Sequence, residues 1–571
     1  MNALNGPQTT GRTYRNLSEP RHTVAHDVNV TVPMRDGVTL LADVHRPAGD
    51  GRHPALIAAS PYPRQIQNLG APAGFIEAGV TDFWVRRGYV HVIANVRGTC
   101  GSGGRFGFFD AQERRDMYDL VEWVAAQPWC DGTVGMIGIS YFAMTQLEAA
   151  VERPPHLRAI FPVAVTADLY EAASHHGLMN SSFVTPFLSM MGLTSERSDA
   201  LWRGPVVGLA RRILSLPPLH RRFATMNGEA AVTMMRQLLK LPHNPHPWDD
   251  LWHDVAVEHP VRDEWWDERD LLPLLDRVDI PVYLGCDWEN VPLHLPSTFQ
   301  TWKRLRHSSD VRIGLLGRYG LTWPWESLHT EALAWFDHWL KGHDTGILDG
   351  PPIRYVLPGD EGGWHIANCW PPEQSSHRSL ALRADGALDD DEGEPGQRAY
   401  LVLGAGLNRV TASPVDPPDR LEWTSAALDD HVDMVGDVEL RLVASATAID
   451  TAWIATLQDV APDGTVEDVT AGWLRASLRT VDEAASRDGA PVLPCREPRA
   501  VPIGENVEYR IPLVPNARRF RAGHRIRLVL TSDDQDPSTP AIMNFRHAGV
   551  GTSSRNIVRS SSRLLLPVIS A

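Results

Sequence analysis

Residues 129–147 read WCDGTVGMIGISYFAMTQL, and this stretch restricts the chain more than any other. Val134 to Ile139 is an apolar run of strand length, and Phe142-Ala143-Met144-Thr145-Gln146-Leu147 is helix-forming. Ser140, between small residues, sits where one becomes the other. A strand that turns so sharply into a helix lifts a serine hydroxyl to the C-terminal edge of a sheet, as a nucleophile elbow does. The next amide, that of Tyr141, is then aimed at the place where an oxyanion forms.

The flanking sequence supplies the sheet. DVNVTVPMRDGVTLLADVH, residues 27–45, alternates around an Asp36-Gly37 turn and predicts an opening hairpin. Strand runs follow at Ala55–Ser60, Val90–Asn95, Val134–Ile139 and Ala159–Val165, separated by helical segments at Phe75–Arg87 and Glu113–Gln127. Met117, Leu120, Val121 and Val124 form one apolar face of the second helix. Strands alternating with helices predict a mostly parallel sheet covered on both sides, an α/β-hydrolase core spanning 1–167 and 271–349. The rhythm breaks over 168–270, which reads as an inserted helical cap rich in Met, Trp, His and Pro. It resumes at Ile280–Leu284 and Val311–Leu316 and closes with a helix from Ser327 to Lys341. From 350 to 571 short alternating strands such as Val438–Val443, Trp453–Leu457 and Arg525–Leu530 predict a β-sandwich or jelly roll.

Composition narrows the partners. The chain has 571 residues and a formal net charge of −16, its densest acidic run at Asp389–Glu392, which argues against nucleic acid. Nothing approaches about 18 consecutive apolar residues, so no membrane span is expected. The N-terminus lacks the apolar core of a signal peptide, and five scattered cysteines show no metal-binding spacing. The expectation is a cytoplasmic enzyme without metal or cofactor. It would act on a small molecule, with a homodimer as the assembly to test.

Several short motifs, in order, resemble the cocaine esterase and X-prolyl dipeptidyl-peptidase group of serine hydrolases over nearly the whole length. They are Ser60-Pro61-Tyr62, Arg97-Gly98 with Gly101, Gly103 and Gly104, and Trp129-Cys130-Asp131-Gly132 leading into the elbow. Gly363-Trp364, Trp370-Pro371-Pro372, Asp450-Thr451-Ala452 and Pro462-Asp463-Gly464 follow. The resemblance implies an α/β-hydrolase core, a helical cap and a C-terminal jelly roll, with an acyl pocket where the three meet. It also implies a serine that attacks an ester or amide carbonyl to give an acyl-enzyme.

Transferred residue by residue, it makes Ser140 the nucleophile and gives the oxyanion to the Tyr62 hydroxyl and the Tyr141 amide. The family's G-x-S-Y-x-G ends here in Ala143. For the acid, alignment favours Glu289, with Asp287 as rival, in Gly285-Cys286-Asp287-Trp288-Glu289-Asn290. The family's histidine position, after Val311–Leu316, holds Leu321 in Gly317-Arg318-Tyr319-Gly320-Leu321, and no histidine occurs between His307 and His329. Without a base a serine hydroxyl is a poor nucleophile. His329, His294 and the pair His175-His176 remain open as replacements. Tyr62, His176, Trp288, Arg318 and Tyr319 are the candidate substrate contacts. Arg318 and Tyr319, in the vacated turn, would suit a carboxylate or phenolate. In the cap, Trp248, Trp252, Trp265, Trp266, Met190-Met191 and Met234-Met235 are mostly core, with some left to line a pocket.

The leading expectation is therefore an ester or amide hydrolase working through Ser140 with a relocated or absent base. The alternative keeps the scaffold for acyl transfer, cyclisation, elimination or rearrangement in a biosynthetic pathway. A non-catalytic receptor comes third.

Overall fold

Central strands rich in Val, Ile, Leu and Ala, with no polar alternation, are buried on both faces, and here they build a ten-stranded sheet. The computed structural model describes residues 4–67, 76–194, 248–318, 320–322, 325–403, 419–535 and 545–569, together with 209, 212, 213, 216 and 218. In chain order the strands are β1 (Val24–Pro33), β2 (Thr39–Pro47), β3 (His53–Ser60), β4 (Val90–Asn95), β5 (Cys130–Ile139) and β6 (Leu157–Val163). After two short strands, β7 (Ser174–His175) and β8 (Leu178–Met179), come β9 (Val282–Asp287), β10 (Val311–Leu316), β11 (Ile353–Val356) and β12 (Trp364–Ala367). The spatial order is β1-β2-β4-β3-β5-β6-β9-β10-β11-β12. From β4 through β11 neighbouring strands run parallel, while β1, β2 and β12 pair antiparallel.

The helices that matter for the site are α1 (Arg64–Gln67), α2 (Thr81–Val85), α3 (Ala111–Ala125), α4 (Tyr141–Glu152), α5 (Leu169–Ala173) and α6 (Ser181–Thr194). Asp110 caps α3 by accepting from the Glu113 amide at 2.8 Å, and Met117, Leu120, Val121 and Val124 bury the face read from the sequence. Of the segment expected to be helical before β4, only Thr81–Val85 is helix among the described residues.

The insertion begins and ends at one point. Asp168 and Asp270 form an isolated antiparallel bridge, and the Leu271 amide donates to Ala167 C=O at 2.9 Å. Arg262 pairs with both aspartates, which neutralises two adjacent carboxylates at the clasp. The described parts of 168–270 are largely helical. Trp266 is buried and donates to His259 C=O at 2.8 Å, and Trp252 donates to Thr185. Both are packing residues. Met234 and Met235 lie outside the described residues.

The first sheet continues past residue 349, because β11 and β12 still belong to it; the architecture changes at Ser375. The apolar alternation of β11 is that of a sheet edge and does not distinguish the two domains. Beyond it an eleven-stranded antiparallel sheet curls into the C-terminal domain around the long pair Val432–Ala446 and Val507–Phe520. Among the described residues no helix is long and apolar enough to cross a membrane, and no cluster of metal-ligating side chains is present.

Candidate active site

The elbow forms as its sequence dictates. Ser140 sits at φ 58° and ψ −119°, a conformation that L-residues rarely occupy. Its amide donates to Val163 C=O at 2.9 Å, and its carbonyl accepts from Ala143 and Met144 at 2.8 and 3.1 Å. Gly138 is required: at φ +142° a Cβ there would stand 2.2 Å from the Phe142 Cβ. Helix α4 is fixed to the sheet by Thr145, whose hydroxyl donates to Ala59 C=O at 3.0 Å, and by Gln146, which bonds Gly138 C=O and the Phe161 amide. The Ala143 methyl is fully buried. As the first helical residue, Tyr141 has an amide with no intrahelical acceptor.

Tyr62 follows β3, and its carbonyl is held by Asn95 Nδ2 at 2.6 Å. Its hydroxyl is hydrogen-bonded with Ser140. Burial, reinforced by the nearby Glu77 carboxyl, pushes this phenol well above its ordinary pKa, so it stays a neutral donor. Its ring lies edge-on to Tyr141 and Phe142 at 5.9 and 6.0 Å. The Tyr141 hydroxyl points away and donates to Glu113 Oε1 at 2.7 Å, while its ring stacks on Phe109 at 4.0 Å. Glu148 lies close behind with both carboxyl oxygens buried and unpartnered, and burial raises the pKa of Glu148.

Ser140, Tyr62 and Tyr141 open onto a cavity of ≈ 500 Å³, counting its mouth. Phe108, Phe109 and Met144 line it from the core, Phe183, Phe187 and Leu188 from α6. Thr166, Leu293 and His294 also line it. Among the described lining residues there is no Asp, Glu, Lys or Arg, and none comes from beyond residue 294. Among the described residues the lining comes from the core and the insertion, and the C-terminal Phe545 packs against the lining residue Phe183 at 5.5 Å.

His294 Nδ1 lies 2.8 Å from the Thr166 hydroxyl, and burial lowers the pKa of its imidazole to about 3. The other candidate histidines lie elsewhere. His329 is caged by Phe83, Trp84 and Trp325, with Nε2 accepting from the Val80 amide at 3.1 Å and Nδ1 3.2 Å from Ser327 C=O. His329, one of the histidines left open as a base, is not among the described residues lining the cavity, and both its ring nitrogens are used in that cage. His176, expected against substrate, turns Nδ1 to Trp473 C=O at 3.1 Å and to Glu171 at 3.2 Å, outside the cavity lining. His175 is bonded to Pro292 C=O and to His547.

Nor do the acid-loop residues line the cavity. Asp287 is buried at the end of β9 and accepts from the Glu289 and Asn290 amides, Asn290 Nδ2 and the Leu321 amide. Burial raises its pKa and these donors oppose the rise. Glu289 faces Arg318 at 3.6 Å, on the half-exposed rim of the turn. Trp288, expected at the substrate, packs among Phe299, Tyr355 and Trp370 and donates to Val356 C=O at 2.6 Å. Tyr319 lies outside the described residues. Phe108, Phe109 and Thr166 carried no signal in the sequence, since isolated phenylalanines and a threonine do not reveal which cavity they face.

Comparison with known proteins identifies the family. The profile of the X-Pro dipeptidyl-peptidase (S15 family) matches residues 36–325, and that of the X-Pro dipeptidyl-peptidase C-terminal non-catalytic domain matches 345–542. Cocaine esterase of Rhodococcus sp. (strain MB1 Bresler) is 27% identical over 554 residues, covering 89% of this chain and 90% of the relative. A CocE/NonD family hydrolase from Staphylococcus aureus superposes with a TM-score of 0.72 at 20% identity, over 98% of this chain and 100% of that one. An aminopeptidase from a marine sediment archaeon, Thaumarchaeota archaeon, does so at 0.69 and 19% identity, over 96% and 97%. The chain belongs to the S15 family of α/β-hydrolases, serine hydrolases of esters and amides.

Proposed function

We propose that this enzyme hydrolyses the ester, or amide, of a small, uncharged, apolar acyl group, with Ser140 as nucleophile and His294 as base. The observation that carries the reading is that Ser140, Tyr62 and His294 open onto one apolar cavity. An aromatic or branched acyl group gains about 25 cal/mol for each Å² it buries there. A substrate ammonium would find no counter-charge among the described lining residues, which disfavours an exopeptidase reading a free amino terminus.

In this mechanism the Ser140 hydroxyl attacks the carbonyl and gives its proton to His294 Nε2. Nδ1–H donates to Thr166, whose own hydroxyl donates to Leu293 C=O. Tyr62 and the Tyr141 amide hold the oxyanion. The protonated imidazole returns its proton to the departing alcohol, and water then cleaves the acyl-enzyme by the same route. Threonine replaces the usual carboxylate, and burial weakens the base, so the acylation step is slower than in a full triad.

Incubation with a fluorophosphonate tests the reading. Labelling of Ser140 that disappears in Ser140→Ala and slows in His294→Gln supports it; a folded wild-type protein that stays unlabelled refutes it. The apolar lining also favours a second reading, transfer of the acyl group to an apolar acceptor that excludes water. Product analysis with and without an added alcohol separates the two.

A further inference from the structure

A chain of hydrogen bonds crosses from the C-terminal domain to the segment that carries His294. Asp534 Oδ2 lies 2.7 Å from His547 Nδ1, His547 Nε2 lies 2.7 Å from His175 Nδ1, and His175 Nε2 lies 2.6 Å from Pro292 C=O. Asp534 Oδ1 also accepts from the His547 amide at 2.9 Å. His175, His547 and Asp534 are 1%, 3% and 2% exposed, and Trp473 stacks on the His175 ring at 4.3 Å. Leu293 and His294, the next residues after Pro292, form the cavity wall.

The protons can be counted. A carbonyl only accepts, so His175 Nε2 carries a hydrogen. Neutral His175 then offers a lone pair at Nδ1, and burial, followed by the neighbouring His547, holds its pKa well below the ordinary value. His547 Nε2 must therefore donate. One further proton is shared between His547 Nδ1 and Asp534 Oδ2, and the whole array is electrically neutral. An extra proton has no place, because two N–H groups would face each other between the imidazoles.

We propose that Asp534, His547 and His175 are positioning residues for His294: Asp534 anchors the His547 ring through its Nδ1 and its backbone amide, and the array holds the Pro292 carbonyl and hence the His294 imidazole in the cavity wall. This extends the reading of His294 as base and gives the C-terminal domain a part in the chemistry. Placement of this kind matters, since a misplacement of about 1 Å costs up to about 100-fold in rate.

Two variants of the full-length protein separate hydrogen bonding from mere filling. In Asp534→Asn the amide Nδ2 donates to His547 Nδ1, and Oδ1 still accepts from the His547 amide, so the same tautomer and every bond survive. In Asp534→Leu the His547 Nδ1 and backbone amide both lose their partner, and the ring is no longer anchored. The ¹⁵N resonances of His294, assigned by their loss in His294→Gln, should stay in place in Asp534→Asn and move in Asp534→Leu. Labelling of Ser140 by a fluorophosphonate should stay within about threefold in the first and fall about tenfold or more in the second.

Unmoved His294 resonances in Asp534→Leu, or equal displacement in both variants, overturn the proposal. Moved resonances with unchanged labelling support the positioning and instead refute His294 as the base. Should Asp534→Leu fail to fold, the wild-type spectrum decides: His175 protonated at Nε2 supports the array, and protonated at Nδ1 overturns it.

Discussion

Replacing Tyr62 by phenylalanine removes one hydroxyl and almost nothing else. The residue is 2% exposed, and its ring is bounded by Tyr141 and Phe142, so a phenyl group fills the same space. The lost bond with Ser140 should cost about 1 kcal/mol of stability or less, because the serine hydroxyl faces the cavity and finds other partners. Catalysis should suffer far more. The phenol is kept neutral by burial and is already oriented, so it donates to the oxyanion without reorganising. Loss of one such donor costs about 10²–10³ in kcat, roughly 3–4 kcal/mol. KM should hardly change, since the ground-state carbonyl is a much weaker acceptor than the oxyanion. Steady-state hydrolysis of p-nitrophenyl esters of aromatic acids, alongside a thermal melt, provides the assay. A Tyr62→Phe enzyme whose kcat stays close to wild type would refute the oxyanion assignment.

Three further outcomes are expected. A base must be neutral to accept a proton, and burial lowers the pKa of His294 to about 3, so kcat/KM should stay flat as the pH falls from 8 to about 5. An inflection near the ordinary histidine value would place the base elsewhere. Glu148, whose pKa is raised by burial, binds its proton more tightly in the folded than in the unfolded chain. Its contribution is therefore complete below the ordinary value of 4.5 and is lost as the pH rises through the folded value. Glu148→Gln should flatten the fall of stability that sets in above pH 4.5, by up to about 1.4 kcal/mol per pH unit, read from urea midpoints. Ala143→Gly should lower stability by about 1–2 kcal/mol at unchanged turnover, through lost helix propensity and a buried methyl; a stabilised variant would mean that the methyl is strained.

What was legible in the sequence follows from local physics. Val311–Leu316 was read to the residue, and the elbow was identified, because an apolar run ending in small residues has few other solutions. The clasp at Asp168 and Asp270 fell where the strand rhythm stopped and resumed. The domain edge did not, since the pairing of β11 with β10 is decided across the sheet rather than along the chain. The site divides in the same way. Ser140, Tyr62 and Tyr141 sit at strand ends whose positions the pattern dictates, and the structure brings them together. His294 was one of several open histidines, because which of them lines the cavity with Ser140 depends on how distant loops pack. Asp287 shows the limit plainly: its carboxylate organises its own turn and the Leu321 amide, contacts that no spacing in the sequence announces.

The hydrogen-bonded array behind the cavity also orders events in time. Its members come from positions 175, 292, 534 and 547, so Ser140 leaves the ribosome long before the array can be finished. Between residues 140 and 547 lie 407 steps of synthesis, about 20–80 s at ordinary elongation rates. Throughout that interval the nascent chain carries the elbow serine without the bonds that hold Pro292. The elbow serine is thereby in place before the bonds that tie the C-terminal domain to the cavity wall can form.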